Sequence, residues 1–301
     1  MDKSITLLDG GMGQELVRRS GKPPTPLWSA RVLLDEPDLV EALHLEFIEA
    51  GAKIIALNNY TATPFRLKRD ANPELFEPIH NAAIKVAHSA RNKSGKSDVK
   101  IAGCLPPLVA SYKPELVPKA EDCLAQYREL VDVQKDGIDL MFCETVATIR
   151  EAIAAATAST EAGLETVVSF TLDDDNPRNL RSGEPLTDAI EAVKPFRIAA
   201  ITINCSAPET VNMAMPILVD KFPVVGGYAN GFQSIDTLEA GGTTKGLKAR
   251  KDLTPEIYAQ YALGWAKMGA KIIGGCCEVG PAHIAEIDRV LRAAGYTINP
   301  L

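Results

Sequence analysis

The sequence predicts an α/β protein built as a (β/α)8 TIM barrel, in which residues 1–301 form a single domain. Eight short apolar segments alternate with amphipathic stretches of helical period along the whole chain. The apolar segments are nearly continuous, as expected of parallel strands that are covered on both faces. A doubly wound open sheet is the structural alternative, but eight regular repeats without a shift in composition favour the barrel.

The candidate strands are short runs of aliphatic and β-branched residues. In chain order they are ITLLDGG from Ile5, AKIIALNNY from Ala52, VKIAGCL from Val99, IDLMFCE from Ile138, ETVVSFT from Glu165, AAITINC from Ala199, FPVVGGYAN from Phe222 and AKIIGGCC from Ala270. The candidate helices between them are Asp38–Ala50, Glu77–Arg91, Ala120–Lys135, Ile149–Ala162, Asp188–Val193, Pro208–Asp220, Pro255–Met268 and Ala282–Ala294. Several end at a glycine just before the next strand, as helices commonly do.

Composition excludes several classes of protein. With 39 acidic and 32 basic residues the net charge is -7, which argues against binding to nucleic acid or to an anionic membrane. No apolar run approaches the roughly 18 residues of a membrane span, and the N-terminus lacks a secretory signal. Six cysteines are too few for a disulfide framework. We therefore expect a cytoplasmic protein with free or metal-bound thiols, whose polar segments Asp173–Asn179 and Thr243–Lys251 are solvated loops.

Polar and sulfur-bearing residues concentrate at the ends of the strands, where a TIM barrel carries its chemistry. They are Asp9-Gly10-Gly11, Asn58-Asn59-Tyr60, Cys104, Glu144-Thr145, Asn204-Cys205, Tyr228-Ala229-Asn230 and Gly274-Gly275-Cys276-Cys277.

Three of the cysteines end strands that stand two apart in the predicted barrel. Cys205 ends the sixth strand and the pair Cys276-Cys277 ends the eighth, so roughly 10 Å separates their backbones. Three converging thiolates repel one another unless a cation holds them, and zinc is the usual one. Both members of an adjacent pair reach one metal only if the strand has already ended, which Gly274-Gly275 allows.

Other interpretations of the cysteines stay open. A free cysteine is commonly a small buried hydrophobe, which is our expectation for Cys104, Cys123 and Cys143. A vicinal disulfide is the alternative for Cys276-Cys277. We also expect oxidation to close a disulfide among the three rim cysteines and to release the metal.

The motifs at the strand ends resemble those of the zinc-dependent homocysteine S-methyltransferase family. They are LDGGMGQEL from Leu8, PLWS from Pro26, NNYTAT from Asn58, ET in FCETV, NCS from Asn204 and GGCC from Gly274, and the likeness runs from about Ile5 to Ala294. The resemblance implies one homocysteine-binding barrel domain, zinc on Cys205, Cys276 and Cys277, and no separate protein nucleophile. The attacking group is then the zinc-activated thiolate of the substrate.

The resemblance also implies where the two small-molecule substrates lie. Asp9 and Glu144 hold the amino group of homocysteine, with Gly10, Gly11 and Asn204 beside them. From the residues alone, Asp9 is instead a turn or helix cap before Met12, and Glu144 a charge near the start of the helix from Thr148.

The methyl donor is less sharply defined by the sequence. Sulfonium and quaternary ammonium groups bind aromatic faces, and the donor-side candidates are Trp28, Tyr60, Tyr228 and Asn230. Thr145 departs from the betaine-using branch of the family, so S-methylmethionine is the expected donor. Betaine, dimethylsulfoniopropionate or S-adenosylmethionine as donor, and selenocysteine or another thiol as acceptor, stay open, as does the oligomeric state.

Two functions of other kinds compete with a methyltransferase. A barrel that binds sulfonium compounds or thiols as a sensor needs no open metal site, which the three cysteines argue against. A metal-free hydrolase or lyase would use Glu144 as its base. The histidines fall on helical patterns or helix starts, which disfavours a histidine-based site: His44, His80, His88 and His283.

Overall fold

The computed structural model describes residues 3–301, and its strands form one parallel sheet. The strands are β1 (Ser4–Leu7), β2 (Ile54–Ala56), β3 (Lys100–Leu105), β4 (Leu140–Val146), β5 (Thr166–Phe170), β6 (Ala200–Asn204), β7 (Val225–Ala229), β8 (Ile272–Gly275) and β9 (Thr297–Ile298). Every predicted strand is present, in the order β2 to β8 followed by β1 and β9.

Hydrogen bonds between β1 and β2 close the sheet into a barrel. Lys53 N–H donates to the Leu7 carbonyl at 2.7 Å and Asp9 N–H to the Ile54 carbonyl at 3.0 Å. The short strand β9, which the sequence analysis missed, pairs with the start of β1 through the carbonyl of Ile5. Ile5 and Leu7 are two residues apart, so their backbone carbonyls point to the same edge of β1. β9 therefore extends the edge that β2 occupies further along, and the predicted eight-stranded barrel is confirmed.

The helices surround the barrel between consecutive strands. They are α1 (Met12–Ser20), α2 (Ser29–Asp35), α3 (Pro37–Glu49), α4 (Pro64–Asp70), α5 (Phe76–Ser94), α6 (Ala120–Gln134), α7 (Ile149–Glu161), α8 (Leu186–Val193), α9 (Pro208–Lys221), α10 (Pro255–Met268) and α11 (Pro281–Ala293). The helices α2 and α4 were not predicted, because seven residues each are too few to show a clear helical period. No helix of the described residues is both long and apolar enough to cross a membrane.

Alternation along each strand separates two layers of core. One set of side chains packs inside the barrel: Leu8, Ile54, Ala102, Leu140, Phe142, Val167, Ala200, Tyr228 and Ile272. The neighbouring positions face the helices in a much larger cluster that includes Ile55, Ile101, Met141 and Ile273. Since the side-chain period of a strand is two residues, the interior positions lead upward to Cys104, Glu144, Ser169 and Asn204 at the mouth of the barrel.

The three cysteines expected to be buried are all buried. Cys123 and Cys143 lie in the layer between barrel and helices. Cys104 points into the barrel, and its Sγ donates a hydrogen bond to Glu144 Oε2 at 3.1 Å, a contact that was not predicted. A thiol is a weak donor, yet this one is directed at a carboxylate.

Of the two polar segments, Asp173–Asn179 is mostly exposed, as predicted for a solvated loop. The prediction for Thr243–Lys251 is wrong in part. Thr243, Thr244 and Leu247 line the large cavity at the mouth of the barrel. Near the end of this segment, the guanidinium of Arg250 forms two hydrogen bonds with Glu209.

Candidate metal centre and substrate cavity

A cavity of about 1360 Å³, counted out to open solvent, opens at the carboxyl ends of the strands. Its walls include most residues that the sequence analysis singled out: Asp9, Gly10, Gly11, Trp28, Tyr60, Glu144, Asn204, Cys205, Tyr228, Cys276 and Cys277. Asn230 is not among the lining residues; it is buried, and its Oδ1 accepts from the backbone N–H of Phe232.

The three rim cysteines, here called the cysteine triad (Cys205, Cys276 and Cys277), have their Sγ atoms within 4.8 Å of one another. A disulfide joins Cys205 to Cys276 and Cys277 is free. The vicinal disulfide considered for the adjacent pair is therefore not the one formed, whereas a disulfide within the triad agrees with the behaviour expected on oxidation.

The backbone turns where the strands end bring these three sulfurs together. β8 ends at Gly275, before the pair begins, as a shared metal requires. Cys205 follows β6 with φ of 46°, and Glu278 follows the pair with φ of 66°. Both values lie in the left-handed region, where a side chain is directed away from the course of the strand. The sequence predicted that the cysteines meet at the rim, but it did not predict the left-handed backbone at Cys205 and Glu278.

The loop that carries Cys276 and Cys277 is held by its neighbours. Cys276 N–H donates to Ala229 O at 2.9 Å, and Gly231 N–H donates to Cys277 O at 2.8 Å. A Cβ atom on Gly11 would lie 2.4 Å from the carbonyl oxygen of Cys276. Glycine is therefore required there because the turn after β1 packs directly on the cysteine pair.

Two carboxylates, the buried Asp9 and the partly buried Glu144, lie in the wall of the cavity. Asp9 Oδ2 accepts from the backbone N–H of Ala56 at 2.9 Å. Glu144 accepts one bond on each oxygen, from Cys104 Sγ and from Tyr228 Oη, both at 3.1 Å. Neither is a helix cap: the residue that caps α1 is Gly11, and α7 is capped by the Thr148 side chain. The capping alternatives are thus wrong.

The electrostatics of this pair favour a bound cation. Burial raises the pKa of Asp9 well above its usual range, against the hydrogen bond from Ala56, and repulsion from Glu144 adds to the rise. Burial also raises the pKa of Glu144, although its bonds with Cys104 and Tyr228 oppose the shift. Two carboxyl groups that repel each other are stabilised in their charged forms by an ammonium placed between them.

Two of the predicted substrate-side groups already have partners within the protein. Asn204 accepts from the backbone N–H of Thr145 at 2.9 Å and donates to its hydroxyl at 2.9 Å. Thr145 has φ of 58° and lies where the register of β4 shifts, so Asn204 fixes the bulge that presents Glu144. The Gly11 N–H donates to Val279 O at 2.9 Å, which leaves the Gly10 N–H as the simpler candidate for a substrate carboxylate.

Aromatic side chains form a second part of the cavity wall, here called the aromatic wall. Trp28 and Tyr112 pack against the triad in one apolar cluster with Phe232 and Leu247. The Trp28 ring covers Gly13, where a Cβ atom would lie 2.1 Å from Cζ2. Tyr60 meets the Trp28 ring edge-on at 6.3 Å between centroids. The sequence analysis missed Tyr112, because it lies in an irregular loop after β3.

Tyr228, by contrast, lies on the carboxylate side. Its ring packs edge-on against Phe142 inside the barrel, and its hydroxyl is hydrogen-bonded to Glu144 Oε1 at 3.1 Å and to Ser169 Oγ at 2.7 Å. The structure therefore separates it from Trp28 and Tyr60, with which the sequence analysis had grouped it.

Backbone strain concentrates around this cavity. Non-glycine residues with positive φ are uncommon, and clusters of them are typical of functional sites. Of the six in the described residues, only Arg197 lies away from the site; the others are Trp28, Tyr112, Thr145, Cys205 and Glu278.

The histidines stay on helices, as predicted, and none lines the cavity. His44 and His80 are buried in α3 and α5, where burial lowers the pKa of each to about 4. His88 bonds to the Gly137 carbonyl and His283 lies at the start of α11. The triad therefore has no imidazole beside it among the residues described.

The chain is similar to known methyltransferases along nearly its whole length. The family model described as homocysteine S-methyltransferase matches residues 6–291. Homocysteine S-methyltransferase of Escherichia coli (strain K12) is 30% identical over 95% of this chain and 96% of its own. Selenocysteine methyltransferase of Astragalus bisulcatus is 27% identical over 95% and 92%. The crystal structure of the homocysteine methyltransferase MmuM from Escherichia coli in its metallated form superposes with a TM-score of 0.80, at 28% identity over 95% and 96% of the two chains.

Proposed function

This chain belongs to the homocysteine S-methyltransferase family, and from that premise we propose that it uses zinc and a sulfonium donor to methylate the thiol of homocysteine, giving methionine. One observation carries the proposal. Three sulfurs that follow two strands converge within 4.8 Å of one another, in the same cavity as the carboxylates of Asp9 and Glu144. A sulfur-binding centre and an ammonium-binding centre in one cavity match the two ends of homocysteine.

The triad suits zinc by the chemistry of its atoms. Two sulfurs on one tetrahedral zinc ion lie about 3.8 Å apart, given Zn–S bonds of about 2.3 Å. The observed grouping fits one ion after the Cys205–Cys276 disulfide is reduced and the side chains rotate slightly. Zinc bound there supplies a positive charge that keeps a coordinated substrate thiol deprotonated. Because the triad must stay reduced to bind metal, we place the protein in the cytoplasm.

The two carboxylates orient the acceptor. We assign the homocysteine ammonium to Asp9 and Glu144, which both line the cavity and whose charges repel each other. Cys104 and Tyr228 fix the Glu144 carboxylate from either side. An ammonium held there directs the thiol of the same molecule toward the triad, and charge-assisted bonds of this kind are about twice as strong as neutral ones.

The aromatic wall binds the donor. Trp28 and Tyr60 present aromatic surface next to the triad, and a sulfonium binds such surface by cation–π attraction. S-methylmethionine is the donor we propose. The methyl carbon forms a bond with the acceptor sulfur as its bond to the donor sulfonium breaks, and the donor leaves as a neutral thioether. No protein side chain is methylated in between.

Selenocysteine is a second candidate acceptor. One relative bears the name selenocysteine methyltransferase. A selenol softer than a thiol suits the same sulfur-ligated zinc, and its amino group would bind the same carboxylates.

A donor panel tests the proposed function. Reduced, zinc-loaded protein is incubated with homocysteine and, separately, S-methylmethionine, dimethylsulfoniopropionate, betaine or S-adenosylmethionine, and methionine is measured by mass spectrometry. We expect turnover with a sulfonium donor and about one zinc per chain in a three-sulfur shell by X-ray absorption. Absence of methionine with every donor, or a shell of nitrogen and oxygen, contradicts the proposal. Binding without turnover would instead favour the sensor.

A further inference from the structure

Arg66 is a buried cation that has no carboxylate partner. It lies in α4 and is 8% exposed. Its Nε and Nη2 donate to the Pro107 carbonyl at 3.3 and 2.9 Å, and Nη2 also reaches Ser111 Oγ at 3.3 Å. No carboxylate of the described chain lies within ion-pair distance of it. Nη1 donates to none of these residues and is not enclosed by protein, so it faces the cavity that Arg66 lines.

The neighbouring Arg69, by contrast, has a carboxylate partner. Arg69, one turn further along α4, holds Asp70 with two hydrogen bonds of 2.7 Å and donates to the Val109 carbonyl. Asp70 is therefore occupied. Glu151, the other carboxylate that attracts Arg66, bonds instead to Tyr127 Oη and to the Ala147 N–H. An anionic ligand bound beside Nη1 would stabilise this buried charge, since neither Asp70 nor Glu151 pairs with it.

The position of Arg66 identifies which ligand this is. Its guanidinium lies over the Tyr60 ring at 5.5 Å, and Tyr60 meets Trp28, which packs on the triad. Arg66 is thus connected to the triad through Tyr60 and Trp28 and does not touch the sulfurs. The carboxylates proposed for homocysteine bond to Ala56, Cys104 and Tyr228 instead. The α-carboxylate of homocysteine is attached to the carbon that bears its ammonium, so it stays near that pair.

We propose that Arg66 binds the carboxylate of the methyl donor, which makes the donor a small sulfonium that also carries a carboxylate. This rests on the proposed function. The sulfonium lies against Trp28 and Tyr60 with its methyl group toward the triad, and a short carbon chain extends to Nη1 of Arg66. S-methylmethionine and dimethylsulfoniopropionate share this chemistry. A sulfonium without a carboxylate leaves Arg66 unpaired and places two cations in one cavity.

The test compares each donor with its own methyl ester, which keeps the sulfonium but removes the negative charge. For the wild-type protein we expect kcat/KM for the acid to exceed that for the ester by roughly ten- to a hundredfold, the value of one charge-assisted bond. In Arg66→Met the two values should agree within about threefold, and Arg66→Lys should be intermediate. S-methylmethionine and dimethylsulfoniopropionate are run as separate arms, and the arm with the larger ratio identifies the source of the carboxylate.

Arg181→Met is the matched control. Arg181 stacks on Tyr112 at 5.0 Å but pairs with Asp174 and does not line the cavity. Its acid-to-ester ratio should equal that of the wild type. Arg66→Met could also loosen the loop at Pro107, but loosening lowers both values and leaves their ratio unchanged.

Two results overturn the inference. One is a wild-type ratio near one; the other is an Arg66→Met protein in which the ratio is kept while the KM for homocysteine rises. Failure of this inference is distinguished from failure of the proposed function by calorimetry. The binding of each donor and of its methyl ester is measured without homocysteine. If the donor with its free carboxylate binds only when Arg66 is present but is not turned over, the carboxylate site is supported and the proposed methyltransferase activity is refuted.

Discussion

The Glu144→Gln substitution removes one of the two charges proposed to bind the ammonium of homocysteine. Both oxygens of Glu144 accept hydrogen bonds, from Cys104 and from Tyr228 at 3.1 Å each. A glutamine side chain keeps one acceptor and turns its NH2 group toward the other donor. The variant therefore loses the charge and one of the bonds that orient it, while its volume is nearly unchanged.

The expected loss follows from the burial of the site. A hydrogen bond to a charged group contributes about 1.5–3 kcal/mol, which corresponds to roughly a ten- to hundredfold weaker interaction. Asp9 stays in place and supplies the remaining charge, so binding weakens without being abolished. KM for homocysteine should rise by this factor, whereas zinc content and KM for the methyl donor should not change.

The assay compares two acceptors at saturating donor. Homocysteine carries the ammonium, and 4-mercaptobutyrate has the same thiol and carboxylate without it. Wild type and Glu144→Gln should methylate 4-mercaptobutyrate about equally, since no cation is involved. Glu151→Gln is the control, because Glu151 is a buried glutamate that bonds to Tyr127 and Ala147 outside the cavity. It should leave the preference for homocysteine intact.

The pH dependence adds an independent check. Burial raises the pKa of Glu144, so its carboxylate becomes protonated at a higher pH than an exposed glutamate. Because the charged form binds the ammonium, kcat/KM for homocysteine should fall as pH drops through that raised pKa. This decline should be shallower in Glu144→Gln. Loss of zinc from Glu144→Gln, or an equal loss with both thiols, would refute the proposed orientation of the substrate.

Three further outcomes are expected. Alanine at any one member of the triad should abolish zinc binding and activity but leave the circular dichroism spectrum unchanged, since the barrel core does not include the metal; collapse of the fold would make the site structural. Gly13→Ala, whose Cβ would lie 2.1 Å from the Trp28 ring, should raise KM for the donor, with the overpacking penalty of about 1–3 kcal/mol partly offset by the better helix propensity of alanine; an unchanged donor KM would remove Trp28 from the donor side. Burial raises the pKa of Glu151 to about 7, above its value in the unfolded chain, so the folded state binds a proton more tightly. The free energy of unfolding should therefore decrease by roughly 3 kcal/mol as pH rises from about 4.5 to 7. Urea unfolding should show this pH dependence in the wild type and lose it in Glu151→Gln.

The repeated pattern of the chain was sufficient to predict the barrel. Apolar runs such as that from Ala52 and helical patterns such as Asp38–Ala50 are local signals, and each recurs with little competition from other patterns. Once eight strands are placed in a barrel, their ends must meet at one rim. That geometric rule is why Cys205 could be linked to Cys276 and Cys277 across 71 residues before any coordinates were known.

The roles of several other residues depended on contacts that no local pattern encodes. Cys104 was expected to be inert because nothing near it in sequence is a partner, yet Glu144 lies beside it across β3 and β4. Asn204 serves to hold the bulge at Thr145, a turn that has no periodic signature. The segment from Thr243 was interpreted as a solvated loop because of its charges, although part of it covers the cavity.

The sequence by itself therefore determined the fold, the sulfur centre and the positions of the two carboxylates at the rim. Only the tertiary structure decided which of the two arginines of α4 is left without a carboxylate partner. Arg66 and Arg69 stand three residues apart in one short helix and look alike in sequence, but only Arg69 meets Asp70 in a geometry that satisfies it. Whether a charge is paired depends on distances of a few ångströms in a low-dielectric interior, and loops without a period set those distances.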